Sequence, residues 1–164
     1  MSDQADTAAL PSSTARVQRV LPASPDVVYD EWLDPDALSD WMCPRPARCL
    51  AVQIEARVGG CIRFDIEDSG VEFFVVGRFE VLDRPRQLSF TWQCSTWPDP
   101  GISSVVTVSF AHHGPEETLM TIDHTLLPPE LVEQHRRGWV AIAHQFSDVL
   151  TRSAKGGRSL HDCF

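Results

Sequence analysis

Two histidines, His124 and His135, are the side chains of this sequence best placed to do chemistry. A neutral imidazole donates one hydrogen bond, accepts another, and changes charge near neutrality. It can therefore act as a general acid or base, or fix a ligand. His124 ends an alternating run in which Met120 and Ile122 take the other inward positions. His135 precedes Trp139 by one helical turn on a single apolar stripe. The plainer reading of His124, a core histidine satisfied by a neighbour, is the favoured one. A metal would require a third ligand. His144 follows His135 by about 900° of helix, at roughly 100° per residue, which sets it on the opposite side. No metal and no cofactor are expected.

Other arrangements carry less. Asp65 and Glu67 share one strand face, as a carboxylate pair for acid–base work would, but that face is polar and solvation is the expected state. His112 and His113 fall in a hairpin turn. No Ser-His-Asp order is recognisable, no Gly-x-Ser-x-Gly occurs, and Gly59-Gly60 reads as a turn rather than a phosphate cradle. The cysteines are Cys43, Cys49, Cys61, Cys94 and Cys163, an odd number with no Cys-x-x-Cys spacing. That argues against zinc and against a disulfide framework, and for reduced thiols in a cytoplasm.

Composition narrows the partners. The chain has 164 residues, 14 basic against 23 acidic, and a formal net charge of −9. Nucleic acid and anionic membrane surfaces are held mainly by Lys and Arg, so neither is expected. The first 13 residues lack the apolar core of a signal peptide, and no segment is apolar enough to span a bilayer.

The elements that position the histidines follow from period and punctuation. Residues 1–13 and 153–164 read as flexible tails around one domain, 14–152. Thr14 to Leu21 is a strand. Ser24-Pro25-Asp26 starts a short helix, and Pro35 opens a second with Leu38 and Trp41, which Pro44 and Pro46 end. From residue 48 the period becomes two. Leu50, Val52 and Ile54 share a face; so do Ile62, Phe64 and Ile66; so do Leu88, Phe90, Trp92 and Cys94. Val106, Val108 and Phe110 follow, then Met120, Ile122 and His124. Residues 72–82 are apolar on both faces, which leaves their inward set open. Short connections imply antiparallel neighbours. A last helix opens at Pro128-Pro129-Glu130, and its stripe runs from Leu131 and His135 through Trp139, Ile142 and Phe146 to Leu150. Within it, Gly138 reads as a close approach of helix to sheet, with Trp139 filling the core beside it; the alternative is that it opens cavity space.

The order β-α-α-β-β-β-β-β-β-α resembles the START-like helix-grip superfamily, also called SRPBCC, the fold of the birch-pollen allergen and polyketide cyclases. Several segments resemble, within it, the family named for the activator of heat-shock-protein-90 ATPase. They are Trp32-Leu33-Asp34-Pro35 with Trp41; Val58-Gly59-Gly60 with Arg63-Phe64; and Gly77 with Phe79. Pro85 through Trp92, Thr118 through His124, and His135 with Gly138-Trp139 complete the set. The resemblance implies an α+β fold in which a curved antiparallel sheet of about seven strands wraps a long C-terminal helix. It also implies a cavity between the two. The eukaryotic cochaperone of that family carries a further N-terminal domain where this chain has 13 residues, so a chaperone partner is not the leading expectation.

The expected function is binding of a hydrophobic or aromatic small molecule in that cavity. The expected contacts are Trp41, Phe64, Phe90, Trp92 and Val108 with Ile122, His124, His135, Trp139 and Ile142. Binding is favoured over catalysis. The alternatives are a cyclase- or hydrolase-like enzyme using His124 or His135 as general acid/base, and a chaperone cofactor or other interaction module. A homodimer is left open.

Overall fold

Among the described residues, seven strands and three helices follow in the order the period suggests: β1 (Ala15–Leu21), α1 (Pro25–Glu31), α2 (Pro35–Trp41), β2 (Arg48–Ile54), β3 (Cys61–Asp68), β4 (Val71–Asp83), β5 (Gln87–Cys94), β6 (Ser104–Gly114) and β7 (Glu117–Thr125), then a 3-10 turn (Pro129–Leu131) and α3 (Val132–Asp162). The computed structural model describes residues 13–162, with side chains described through residue 153. The tail assigned to residues 1–13 therefore lies outside the described residues except for Ser13, and residues 163–164, with Cys163, lie outside them too. Of the residues 153–164 expected as a second tail, those through Asp162 continue α3. Helix propagation adds a bond for each residue fixed, so an established helix extends through residues that would not start one.

Local chemistry explains the short helices. Proline occupies the first turn of both, where its missing N–H costs nothing. Asp34 caps α2 by accepting from the backbone N–H of Asp36 and Ala37, whereas the Ser24 hydroxyl makes no capping bond at α1.

The strands form one antiparallel sheet in the order β1-β7-β6-β5-β4-β3-β2, so β1 closes onto the last strand. β3 and β4 join through Ser69 and Gly70, with φ of 56° and 83°, the mirror-image turn whose twist suits a tight hairpin. Gly77 is required at its place in β4: a Cβ there would fall 1.7 Å from the Thr91 carbonyl oxygen on β5. One expectation of phase fails in β2. A bulge between Cys49 and Ala51 turns Leu50 outward, 46% exposed, and leaves Cys49, Val52 and Ile54 inward. In β4 the open question resolves to Phe73, Val75, Gly77 and Phe79.

The helices cover the sheet's apolar face. α1 packs beneath β6 and β7, and α2 lies between β2 and α3. Trp32 joins them: it is buried and meets Trp41 edge-on with ring centroids 5.0 Å apart. No helix among the described residues is long and apolar enough to cross a membrane.

The reduced-thiol expectation is corrected for one pair. Cys43 and Cys49 form a disulfide with Cα atoms 5.9 Å apart, while Cys61 and Cys94 are free. Pro44 and Pro46 fold the segment between α2 and β2 back on itself, which brings the two cysteines within bonding range.

Candidate functional site

Beneath the first turns of α3 the interior is not filled. A cavity of about 350 Å³ lies between the helix, the β3–β5 part of the sheet, and the segment that follows α2. Phe64 and Ile66 of β3, Phe73 and Val75 of β4, and Trp92 of β5 form its sheet side. His135, Gly138, Trp139 and Ile142 form its helix side, and Met42, Cys43 and Pro44 close one end. Trp97, on the loop after β5, leans over it and meets the His135 ring edge-on at 5.8 Å. Thr96, Pro98 and Gln134 are exposed and make the rim.

Of the ten residues expected to contact a ligand, Phe64, Trp92, His135, Trp139 and Ile142 line this cavity. The other five lie elsewhere in the core. Trp41 stacks on Phe146, centroids 3.8 Å apart and planes 4° apart. Phe90 packs on Phe79 and Trp32. Val108 and Ile122 are sealed under β6 and β7. His124 is fully buried as well, one layer behind the wall, its ring 5.1 Å from His135 and 5.3 Å from Trp92.

Hydrogen bonds assign His124's protons. The Trp139 indole N–H can only donate, and it donates to Nδ1 of His124 at 3.0 Å. The neutral ring therefore carries its proton on Nε2, which donates to Ser104 Oγ at 2.7 Å. The Ser104 hydroxyl in turn donates to the Trp92 carbonyl at 2.8 Å. Burial holds the imidazole pKa well below 6.5, and the neighbouring His135 pushes it the same way. His124 thus has no proton to offer a ligand and no lone pair left to accept with. Its work is to hold two cavity walls, Trp92 and Trp139, in place. Trp92 and Trp32 bury indole N–H groups with no partner among the described residues, so the bond from Trp139 to His124 is not a routine feature of this core.

His135 differs. It is half-buried, and its Nδ1 lies 2.9 Å from the Leu131 carbonyl, one turn back. A carbonyl cannot donate, so Nδ1 carries the proton, and the neutral ring keeps a lone pair on Nε2 that no described residue uses. Burial lowers its pKa, opposed in part by the bond to Leu131.

Sequence reasoning missed the far end of the site. Gln145 is buried, donates to the carbonyls of Trp41 and Cys43, and accepts from the Arg45 N–H. It thereby ties the disulfide segment, and with it the cavity's end wall, to α3. A glutamine beside an apolar stripe carries no signal of this. Gly138 is not a close-approach glycine: a Cβ there would meet only Pro44 Cγ at 4.0 Å, ordinary contact. Its missing side chain leaves cavity space. Among the described residues, no group of three or more His, Cys, Asp or Glu side chains could hold a metal ion.

Comparison with known proteins agrees with this architecture. The family model described as Activator of Hsp90 ATPase homolog 1-like protein matches residues 22–151. Protein CV1439 from Chromobacterium violaceum is similar at 25% identity and a TM-score of 0.74, over 84% of this chain and 96% of that one. The AHSA1 protein SPO3351 from Silicibacter pomeroyi shares the fold at 20% identity and a TM-score of 0.76, covering 86% of this chain and 99% of its own. PFC0360w from Plasmodium falciparum, described as an HSP90 activator, shares it at 20% identity and a TM-score of 0.68, covering 85% and 96%. No curated protein matches.

Proposed function

Since this chain belongs to the Activator of Hsp90 ATPase homolog 1-like family, within the START-like helix-grip fold, we propose that it binds an apolar or aromatic small molecule in the cavity beneath α3. The observation that carries the reading is the aromatic-walled volume itself. Space of about 350 Å³ lies within the range of small-molecule sites. An apolar cavity of about 150 Å³ holds benzene, so this one suits a molecule of roughly two rings. Phe64, Phe73, Trp92, Trp97 and Trp139 give such a molecule an aromatic lining, and the driving force is removal of apolar surface from water.

Catalysis has less support. With His124 sealed, His135 is the one imidazole on the cavity wall, and its Nδ1 is held by the Leu131 carbonyl rather than by a carboxylate or a second catalytic group.

Native mass spectrometry of protein purified from its own host is expected to show one small species bound per chain. Protein stripped of it should take up naphthalene with saturable quenching of tryptophan fluorescence. Stripped protein that takes up no naphthalene at the probe's solubility limit would overturn the proposal.

A further inference from the structure

The ligand's apolar body leaves its polar group undefined, and the cavity wall constrains that group through one ring. His135 turns Nδ1 back to the Leu131 carbonyl at 2.9 Å, and that bond requires the proton on Nδ1. Nε2, at the far edge of a ring that forms part of the wall, then presents a lone pair and nothing to donate. Two rings meet it edge-on, His124 at 5.1 Å and 89° and Trp97 at 5.8 Å and 68°, and together with the Leu131 bond they restrict how the ring can turn.

The groups around this ring do not change the sign. His124, from β7, is neutral and has both nitrogens committed. Asp68, at the end of β3, is the carboxylate on the cavity wall; it too is an acceptor, and it repels anions. Cys94, from β5, is engaged with the Thr96 hydroxyl. On α3 itself, Glu133 is held by Arg136 and Arg137 at the surface. The Trp92 indole N–H is out of reach of solvent and so of a ligand in the cavity. Gln134 and Thr96 are exposed at the rim, where a bond to a ligand competes with water.

We infer that the cavity selects uncharged aromatic molecules of about two rings that carry a hydroxyl or N–H donor, and that this donor bonds to Nε2 of His135. The inference rests on the binding function proposed above. It excludes aromatic carboxylates as preferred ligands at neutral pH, because a neutral Nε2 gives them nothing to accept. It also distinguishes phenols from their methyl ethers, which have the same ring and no donor.

The test uses four probes on stripped, full-length protein at pH 7.5: naphthalene, 2-naphthol, 2-methoxynaphthalene and 2-naphthoate, each followed by tryptophan quenching. A neutral hydrogen bond should make 2-naphthol about threefold to tenfold tighter than 2-methoxynaphthalene, with 2-naphthoate the weakest. His135→Asn places an amide N–H near the Nδ1 position and removes the atom at Nε2; the preference for 2-naphthol should fall to about one. His135→Gln can present a carbonyl oxygen near the Nε2 position and should restore part of it. Saturable naphthalene quenching in both variants shows that the cavity survives each substitution, and the preference is read within each protein as the ratio of 2-naphthol to 2-methoxynaphthalene affinity, so a change in overall affinity does not enter it. If none of the probes binds, the binding function itself fails. If naphthalene binds but 2-naphthol shows no advantage, or keeps its advantage in His135→Asn, or 2-naphthoate binds tightest, the donor rule fails and the binding function stands.

Discussion

One helix covers two unlike interiors. Toward its C-terminal half, α3 closes on α2: Phe146 lies flat on Trp41, and Ala143 and Leu150 are buried around them. In its first turns the same stripe presents Gly138 and half-buried His135, and the space across to β3–β5 stays open. The sheet continues unbroken past both regions. The difference therefore lies in side-chain volume along the helix and in the Trp97 loop that roofs the open part. Core and cavity here share one hydrophobic period, and only the size of what sits on it separates them.

The largest effect should come from making the filled region resemble the open one. Phe146→Ala removes a fully buried ring with a stacked partner, and it should cost about 3–5 kcal/mol. Phe73→Ala, on the cavity wall, removes a half-buried ring that already lacks neighbours on one side, and it should cost no more than about 1.5 kcal/mol. Urea unfolding of both variants measures the pair. Equal losses would mean that the cavity region is packed in solution, and the contrast would collapse.

The two histidines carry the same contrast into polar chemistry. His124→Gln breaks a network in which the Trp139 N–H and the Ser104 hydroxyl are buried, and it should cost about 1–3 kcal/mol. His135→Asn, half-buried with one local bond, should cost under about 1 kcal/mol. The pH dependence separates them further. The pKa of His124 is held below 6.5 in the folded chain, so between the two values the unfolded chain binds more protons. The stability associated with neutral His124 is thus complete above pH 6.5 and is lost as pH falls from there toward the depressed value. His135 shifts in the same direction. Glu31 acts oppositely: burial raises its carboxyl pKa, so its protonation favours the folded chain on acidification. The difference between wild type and His124→Gln, followed from pH 7.5 to 5, isolates His124. A constant difference across that range would show that its imidazole is not sealed.

Much of this was legible from residue spacing. The alternation of Met120, Ile122 and His124 places the histidine inward, and the helical phase places His135 and Trp139 on one stripe; the structure puts all of them there. What period does not encode is whether an inward residue faces atoms or space. Direction alone groups Trp41, Phe90, Val108 and Ile122 with the cavity walls, and they lie in filled core. Leu50 was misplaced because a bulge shifts phase by one residue without any Gly or Pro to announce it. Phe73 was hidden in a strand apolar on both faces. Trp97 is on a loop, where neither period applies. Cys43 and Cys49 had a signal that spacing rules overlook: two prolines between them, Pro44 and Pro46, fold the segment back.

Gly138 gives the smallest effect and tests the comparison by sign. If this glycine existed to let α3 approach the sheet, any side chain would force the two apart and destabilise the chain. Gly77 is that kind of position, with a backbone oxygen 1.7 Å from where its Cβ would fall. At Gly138 the nearest atom is Pro44 Cγ at 4.0 Å, and the residue borders the cavity. Alanine there removes a poor helix former and meets no clash, so Gly138→Ala should raise stability by about 0.5–1 kcal/mol. Gly138→Leu should place its side chain in the cavity, keep the fold, and abolish naphthalene uptake. Thermal melts and the fluorescence titration read both. A loss of stability in Gly138→Ala would return this glycine to the class of Gly77 and would mean that the space beneath the first turns of α3 is narrower in solution than the cavity described. A gain, with uptake lost only in the leucine variant, would show that the helix tolerates a side chain here and leaves the position empty to hold the ligand.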